Sequence, residues 1–417
     1  MKNIKVEIIT IGDELLYGQT LDTNSHWLSV EMDKLGYVVI RRTTIGDDEQ
    51  VILHTLAEAE QRAQLILITG GLGPTNDDLT KPCLVKYFNT RLIMQPEALE
   101  DITAFLKSKG REVTELNRRQ ALFPESAKLI RNKNGTAPGI WFEKDNKVFV
   151  SMPGVPHEMI SMMTHQVIPE LKKHFSSGII FHKIIHTVGI GESWLADLIR
   201  SWEDQLPNHI RLAYLPSLGM VKLRLTGTGD HLEKLKQEVE NQVEKVRPLI
   251  EDYIFGYDAI KLEERIGQLL IEKNLTISFA ESCSGGFLSH LITSIPGSSK
   301  YLKGSIVSYD NEVKHQLLGV SQQTLLQYGA VSEQTVIEMA EQVRKLLNTD
   351  IGISVSGIAG PDGGTEEKPV GTVWLAVADG KNTITKKVNL GTDRINNIKL
   401  SCINALNLLR QRLKLIL

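Results

Sequence analysis

The chain has 417 residues, of which 41% are hydrophobic and 23% charged, and its formal net charge is −3. This composition is typical of a globular protein with room for about three domains, and it offers no basic patch for direct nucleic-acid binding. No apolar run approaches the roughly 18 residues that cross a bilayer, and no signal-peptide layout precedes the first strand pattern, so we predict a cytoplasmic protein without membrane contact. An odd number of isolated cysteines argues against disulfides and structural zinc; they are Cys83, Cys283 and Cys402.

The first third of the chain alternates strand and helix patterns. Apolar, β-branched runs at Val6–Ile11, Tyr37–Thr43 and Leu65–Thr69 predict strands, and the segments between them, Asn24–Leu35 and Glu49–Ala63, have helical periodicity. Repeated βα units of this kind predict an α/β domain with a mostly parallel sheet.

Polar loops follow two of these strands, where ligands of such sheets bind. Gly12–Glu14 follows the first strand, Gly70–Asp78 follows the third, and a further loop, Met152–Glu158, adds another carboxylate. Glycine-loop N–H groups suit a phosphate, and grouped carboxylates suit a hard divalent cation. The expected phosphate-binding residues are Gly70, Gly71, Gly73 and Thr75. The expected metal ligands are Asp13, Glu14, Asp77 and Asp78. The alternative for the three aspartates is that they cap helices.

The middle of the chain predicts a small α+β domain. A strand is expected at His182–Val188, a helix at Glu192–Trp202, a hairpin at Arg211–Leu225 and a charged amphipathic helix at His231–Leu249. Glu251–Asp258 follows as a short aromatic segment, which we interpret as a linker between domains that pack on each other.

The last part of the chain contains a strand-to-helix turn with nucleophilic side chains. The run Leu275–Phe279 predicts a strand, Phe287–Ile292 a helix, and Ala280-Glu281-Ser282-Cys283-Ser284-Gly285-Gly286 lies between them. Gly285 and Gly286 allow a sharp bend, and N–H groups around them are expected to stabilise an oxyanion. Ser282 is then the expected nucleophile of an amide-hydrolysing site.

A serine needs a base, and Lys314 is the candidate. It follows the strand-like run Gly304–Val307 in a segment where a helix is expected to begin, with Asp310 or Asn311 as its cap. A buried lysine loses proton affinity, so Lys314 can accept the Ser282 proton directly or through Tyr309.

Other interpretations of the same residues stay open. Cys283 and Ser284 are rival nucleophiles, although Cys283 is expected to point into the sheet, where a free cysteine packs as a small apolar side chain. In the non-catalytic alternative, Ser282 caps a helix, Lys314 is a solvated charge and the glycines only close turns.

Several motifs in this region occur in a fixed order and carry a resemblance to a known family. AESCSGG is followed by GSIVSYDNEVK, GAVSE and SGIAGPDGGTEEKPVGTVW, as in the C-terminal domain of the CinA family. That domain resembles the nicotinamide mononucleotide deamidase PncC. The resemblance implies conversion of nicotinamide mononucleotide to nicotinic acid mononucleotide and ammonia by a serine and a lysine, with no cofactor at that site. The matching positions are Ser282 and Lys314, with Tyr309 nearby, and Ser284 stands where the family often has threonine. The residues expected to bind the substrate are Glu281, Cys283, Ser284, Gly285, Gly286, Ser356, Gly357, Gly360 and Asp362.

The other two parts of the chain resemble the same family. IGDELL, GGLGPTNDD and MPGVP resemble the molybdopterin-binding domain of MoaB and MoeA proteins and the N-terminal domain of CinA, which implies metal-dependent hydrolysis of ADP-ribose. The middle segment resembles a KH-type fold, but its loop, Gly189-Ile190-Gly191-Glu192, carries an acid where a clamp for nucleic acid carries basic residues. We therefore interpret this segment as a spacer or dimerisation element, with a homodimer implied by the resemblance.

We expect domains at 1–172, 173–255 and 256–417, acting on small nucleotides. A different class of function is a pyrophosphatase whose C-terminal domain is a nucleotide sensor, and another is a competence-related interaction protein without enzymatic activity.

Overall fold

The computed structural model describes residues 4–75, 77–175 and 178–416. The chain divides into two compact units, one running to Ile180 and including Thr228–Leu232, the other formed by Phe181–Gly227 and Glu233–Leu417.

The first unit is the predicted α/β domain. Its elements, in chain order, are β1 (Lys5–Ile11), α1 (Asp13–Leu16), α2 (Thr23–Lys34), β2 (Val38–Ile45), α3 (Glu49–Arg62), β3 (Leu65–Thr69), α4 (Thr80–Tyr87), β4 (Leu92–Met94), α5 (Pro96–Ser108), α6 (Glu115–Gln120), β5 (Leu122–Pro124), β6 (Lys128–Ile130), β7 (Gly139–Lys144), β8 (Lys147–Met152), α7 (Pro156–Met162), a π-helical turn at Met163–Val167 and α8 (Ile168–His174).

Six strands form the sheet of this unit in the order β2-β1-β3-β8-β7-β6. The first four are parallel, and β7 and β6 continue the sheet antiparallel. Strand β1 is buried along all of its length after Lys5, because helices cover both faces of a parallel sheet. The three predicted strands and two predicted helices are confirmed, and α2 and α3 start at the caps Asp22 and Asp48.

The second unit contains two sheets. Its elements are β9 (Ile179–Val188), α9 (Glu192–Glu203), β10 (Ile210–Ser217), β11 (Met220–Gly229), α10 (Leu232–Ile250), β12 (Ile254–Tyr257), α11 (Leu262–Glu272), β13 (Ile277–Glu281), α12 (Phe287–Thr293), a 3₁₀ turn at Ser298–Lys300, β14 (Leu302–Val307), α13 (Asn311–Gln316), α14 (Gln322–Tyr328), α15 (Glu333–Leu346), β15 (Ile351–Gly357), β16 (Thr372–Ala378), β17 (Thr383–Asn389) and α16 (Arg394–Leu415).

The smaller sheet has the strand order β10-β11-β9-β12. The expectation that the aromatic segment Glu251–Asp258 is a linker is wrong. The segment interpreted as a linker contains β12, which pairs antiparallel with β9. Its aromatic residues include Phe255, which is buried in the core, as expected of a strand side chain rather than of a tether.

The larger sheet has the order β14-β13-β15-β16-β17. Strands β14, β13 and β15 are parallel, and β16 and β17 are antiparallel additions. The three parallel strands therefore end at one edge, with β13 in the centre.

The loop and hairpin of the smaller sheet pack on α16, the last helix. A Cβ at Gly189 would lie 2.5 Å from Asn407 Nδ2, and one at Gly219 would lie 3.0 Å from Leu400 Cδ2. Buried Arg410 donates to the carbonyl oxygens of Ile254 and Asp252 at 2.9 and 2.6 Å. The backbone of Gly189 in the GIGE loop thus lies against a helix.

Among the described helices, none combines the length and apolar character required to cross a bilayer.

Candidate functional site

The serine motif lies at the carboxyl end of β13, the middle one of the three parallel strands of the larger sheet. Ser282 N–H donates to Val355 O at 2.9 Å, and Ser308 N–H donates to Glu281 O at 2.8 Å, so Ser282 lies between the ends of two neighbouring strands. Gly285 and Gly286 have φ angles of 59° and 95°, a region that favours glycine, and they turn the chain into α12.

Glu281 has a different place from the one expected of a substrate-binding residue. Its carboxylate is fully buried and accepts hydrogen bonds from the N–H groups of Gly286, Leu288 and Ser289 at 3.0, 3.0 and 2.9 Å, and from the Ser289 hydroxyl. These are the amides that a helix start leaves without intrahelical partners, and a negative charge is favourable there. Glu281 therefore holds the first turn of α12, which is a correction to its expected role.

The same contacts correct the expected oxyanion donors. Gly286 N–H is engaged by Glu281, and Gly285 N–H donates to Ser282 O at 3.1 Å. Within the described part of the chain, the N–H groups of Cys283 and Ser284 make no hydrogen bond to another residue. The donors left for an oxyanion in this turn are therefore those of Cys283 and Ser284.

Lys314 reaches the end of the neighbouring strand from the first turns of α13. Of the two caps that the sequence offers, the structure has Asp310, whose side chain accepts from Glu312 N–H just before the helix begins. Lys314 is 1% exposed, and its Nζ donates to the carbonyl oxygens of Ser308 and Tyr309 at 2.8 and 3.0 Å. Burial lowers the pKa of Lys314, and the nearby Asp310 and Cys283 oppose this only in part.

All three candidate nucleophiles are buried, since Ser282 is 7% and Cys283 6% exposed and Ser284 is more deeply buried still. Cys283 belongs to the apolar core beneath the sheet, and burial raises the pKa of its thiol to about 12. Ser284 is 3% exposed, and its hydroxyl has no hydrogen-bond partner among the described residues. Since a thiolate is the reactive form of cysteine, Cys283 is poorly suited to attack.

Arg394, which sequence reasoning missed, contacts two of the expected site residues, Tyr309 and Gly360. It is exposed at the start of α16, and its guanidinium donates to the hydroxyl of Tyr309 at 3.0 Å and to the carbonyl oxygen of Gly360 at 2.6 Å. The only sequence signal was its position: Asp393 caps this helix, and a cation in the first turn is unfavourable to the helix dipole.

Hydrogen bonds from buried side chains to backbone carbonyl oxygens hold the end of β15 and the glycine-rich loop that follows it. Ser356 Oγ donates to Ala330 O at 2.7 Å, and buried Asn397 donates to the carbonyl oxygen of Ala359 at 2.9 Å. Gly357 ends β15, whereas Asp362 is exposed. The structure thus brings Tyr309 and Gly360 together through Arg394, while the Ser356 hydroxyl is used within the fold.

The first unit contains a separate cavity of about 490 Å³ at the carboxyl ends of its parallel strands. Five loops contribute to its lining, those after β1, β2, β3 and β8 and the loop before β7. The expected residues that line it are Gly70, Gly71, Gly73, Glu14, Asp77 and Asp78.

Most of the N–H groups that we expected to bind a phosphate in this cavity already donate hydrogen bonds within the protein. The N–H groups of Gly73 and Thr75 donate to Asp78 at 2.7 and 2.8 Å, and Gly70 N–H donates to Met152 O at 3.0 Å. Of the four expected donors, Gly71 alone carries no such bond in the part of the loop that the structure describes. The Asp78 carboxylate is correspondingly occupied by its own loop.

The acidic residues of the cavity include Asp47, which the sequence analysis did not single out. Burial raises the pKa of Asp47, and the negative charges of Asp13, Glu14 and Asp77 raise it further. Asp47 also accepts a 3.2 Å hydrogen bond from Asp13 N–H. The alternative that Asp13, Asp77 and Asp78 cap helices is not supported, because neither α1 nor α4 has a side-chain cap. Within the described residues, no group of three or more His, Cys, Asp or Glu side chains is arranged to hold a metal ion.

These features define a multidomain α/β protein with a KH-like domain, a serine–lysine turn and a separate acidic cavity. Family models match the chain in three places: a probable molybdopterin binding domain at residues 7–173, a damage-inducible protein CinA KH domain at 182–256 and a CinA C-terminal domain at 259–413.

Full-length relatives agree with the domain matches. A CinA-like protein of Cytophaga hutchinsonii is 50% identical over 412 residues, 99% of each chain, and a putative competence-damage inducible protein of Halothermothrix orenii is 43% identical over 410 residues, 98% of each. The chain belongs to the CinA family. A solved competence/damage inducible protein, CihA of Agrobacterium tumefaciens, is 36% identical, covers 37% of this chain and 93% of its own, and has a TM-score of 0.36.

Proposed function

We propose that the C-terminal domain is an amidohydrolase that converts nicotinamide mononucleotide to nicotinic acid mononucleotide and ammonia. The observation that carries the proposal is the buried Lys314, one strand end away from Ser282, with a pKa lowered by burial. Burying the ammonium group of a lysine costs free energy, and a lysine that serves only as a surface charge stays hydrated instead.

The hydrogen bonds of Lys314 suit a base. A neutral amine has two N–H groups and one lone pair, and the carbonyl oxygens of Ser308 and Tyr309 engage two hydrogens. The lone pair is then left to take the proton of Ser282 as its oxygen attacks the carboxamide carbon. Lys314 next gives a proton to the departing nitrogen, so ammonia leaves, and water hydrolyses the acyl ester on Ser282.

Charge for the phosphate of the substrate comes from Arg394. Two of its nitrogens donate to Tyr309 and Gly360, and these bonds fix the exposed guanidinium in place. Its positive charge partly opposes the rise in the pKa of Cys283. Arginine is well suited to phosphate, and a fixed side chain loses little entropy on binding.

The test is ammonia release from nicotinamide mononucleotide by the full-length protein and by Ser282→Ala, with Cys283→Ala as the matched control. Release that depends on Ser282 and survives in the control supports the amidase and its nucleophile. Release that depends on Cys283 transfers the attack to the thiol. No release by the intact protein leaves the alternatives of a nucleotide sensor or a competence-related interaction protein.

A second candidate function concerns the cavity of the first unit. We propose that it binds and hydrolyses a nucleoside diphosphate compound such as ADP-ribose. Its support is the cavity at the strand ends, the N–H of Gly71, which has no partner among the described residues, and the mutual repulsion of Asp13, Glu14 and Asp47, which a cation would relieve. Because no group of three or more His, Cys, Asp or Glu side chains is arranged for a metal ion within the described residues, a cation here would also need oxygens of the bound diphosphate as ligands.

ADP-ribose cleavage measured with and without a chelator tests this candidate. We expect cleavage to stop with the chelator and to fall in Asp47→Asn, while Asp145→Asn, an exposed loop variant, retains it. Chelator-resistant cleavage contradicts a dependence on a divalent cation.

A further inference from the structure

Gln120 is a buried side chain of the first unit whose donor group is unused. It ends α6, is 3% exposed and lines the cavity. Its backbone carbonyl accepts from Lys81 Nζ at 3.0 Å, yet its Nε2 has no hydrogen-bond partner within the described residues. A buried amide donor without a partner costs free energy, and in a cavity a ligand acceptor removes that cost.

Glu158, on α7, supplies an acceptor to the same cavity. One carboxylate oxygen, Oε2, accepts from Asn132 Nδ2 at 2.6 Å. Asn132 is itself fixed, because its Nδ2 also donates to Ala137 O at 2.9 Å and its Oδ1 accepts from Asn134 N–H at 3.0 Å. The other oxygen of Glu158 has no hydrogen bond in the described part of the chain, so an oriented acceptor is available.

The residues that line the cavity therefore include a donor and an acceptor without partners among the described residues, and, on the glycine-rich loop, the N–H of Gly71, which makes no hydrogen bond in the described part of that loop. We infer that Gln120 and Glu158 bind the vicinal hydroxyls of a sugar carried by a nucleoside diphosphate. Glu158 accepts from one hydroxyl, and Gln120 donates to the oxygen of the other. A carboxylate that accepts from a ribose hydroxyl is an established means of recognising nucleotides, and a volume of about 490 Å³ suits a ligand of this size.

This inference rests on the second candidate function, and binding measurements separate the two. The probe is the non-cleavable methylene analogue of ADP-ribose, compared with the same compound in which each of the two sugars is 2,3-dideoxy, called below the dideoxy compound. Each is titrated calorimetrically into the full-length protein, into Gln120→Met and into Glu158→Ala. Gln242→Met, which replaces another buried glutamine in α10, is the control.

We expect the dideoxy compound to bind the unaltered protein roughly tenfold or more weakly, which is the size of a lost hydrogen bond to a charged group. Each cavity variant should bind the hydroxyl-bearing compound more weakly by a similar factor and bind the dideoxy compound with unchanged affinity. The reason is that the substitution and the loss of the hydroxyls remove the same hydrogen bonds, so their effects on affinity are not additive. The control should bind both as the unaltered protein does.

Equal affinity of the unaltered protein for the two compounds overturns the inference, and this outcome does not depend on whether any variant folds. Equal weakening of both compounds by the variants also overturns it, since the residues then contact another part of the ligand. If the unaltered protein binds neither compound, the inference and the second candidate function both fail.

Discussion

The guanidinium of Arg394 donates a 3.0 Å hydrogen bond to the hydroxyl of Tyr309, a residue 85 positions earlier in the chain. Tyr309 follows β14, and its carbonyl oxygen accepts from Lys314. The proposed base and the proposed phosphate-binding cation are therefore joined through a single residue. Tyr309 is 59% exposed, so its ring is accessible from solvent.

Replacing Arg394 tests its part in substrate binding. We expect Arg394→Met to raise KM for nicotinamide mononucleotide roughly tenfold or more, because a charge-assisted contact with the phosphate is lost. Lysine at this position should recover part of the loss, since it keeps the charge without the planar pair of donors. Steady-state kinetics of both variants provide the measurement.

Lys399→Met is the control for that experiment, because Lys399 is an exposed cation on the same helix. Nicotinamide riboside, which lacks the phosphate, is the matched substrate. An equal change in KM for the two substrates would remove Arg394 from phosphate recognition.

The pH dependence of the rate should report Lys314. Burial lowers the pKa of Lys314 from its ordinary 10.5, and the neutral form is the base. The rate therefore falls as pH decreases through this depressed pKa and reaches a plateau above it. Lys314→Met should reduce kcat by roughly 10²- to 10⁴-fold and abolish that acidic limb.

Profiles of kcat/KM across the neutral and alkaline range check this prediction. Lys303→Met, which removes an exposed lysine of β14, is the control. An acidic limb that persists unchanged in Lys314→Met shows that another group titrates.

The local pattern of apolar, polar and capping residues in the sequence predicted several elements of the larger sheet. Strand β13, helix α12 and the Asp310 cap follow from hydrophobic periodicity and capping preference, both of which act over a few residues. The burial expected of Lys314 is confirmed as well, since this side chain is 1% exposed.

Sequence reasoning failed where contacts are distant or compete for the same donors. Arg394 reaches Tyr309 through the fold, and Asp47 faces Asp13 only because β1 and β2 are paired. Glu281 is expected from the sequence to bind the substrate, but its carboxylate already accepts hydrogen bonds from the amides at the start of α12. A motif shows which groups are present but not which of them the backbone engages.

The chemistry of Cys283 provides a test of the nucleophile. Burial raises the pKa of this thiol to about 12, so little thiolate exists at neutral pH. We expect iodoacetamide to leave amidase activity intact, and Cys283→Ala to retain activity while the free energy of unfolding falls by about 1 kcal/mol, because a buried side chain loses packing. Ser282→Ala should lose activity by on the order of 10⁴-fold or more.

Alkylation followed by mass spectrometry, together with the ammonia assay, decides the matter. Cys83 and Cys402 are also buried and serve as internal references for the rate of alkylation. Rapid alkylation of Cys283 with matching loss of activity would favour the thiol.

Glu281 should act on the stability of a helix start rather than on substrate affinity. Its carboxylate accepts from the amides of Gly286, Leu288 and Ser289, so Glu281→Gln loses charge-assisted hydrogen bonds worth about 2 to 4 kcal/mol in total. Hydrogen exchange at these three amides should accelerate accordingly, since local opening becomes less costly. Ser289→Ala removes only the hydroxyl contact and should have a smaller effect. The KM of folded Glu281→Gln should stay within roughly threefold of the unaltered protein. A large rise in KM with unchanged exchange would instead place the carboxylate in contact with the substrate.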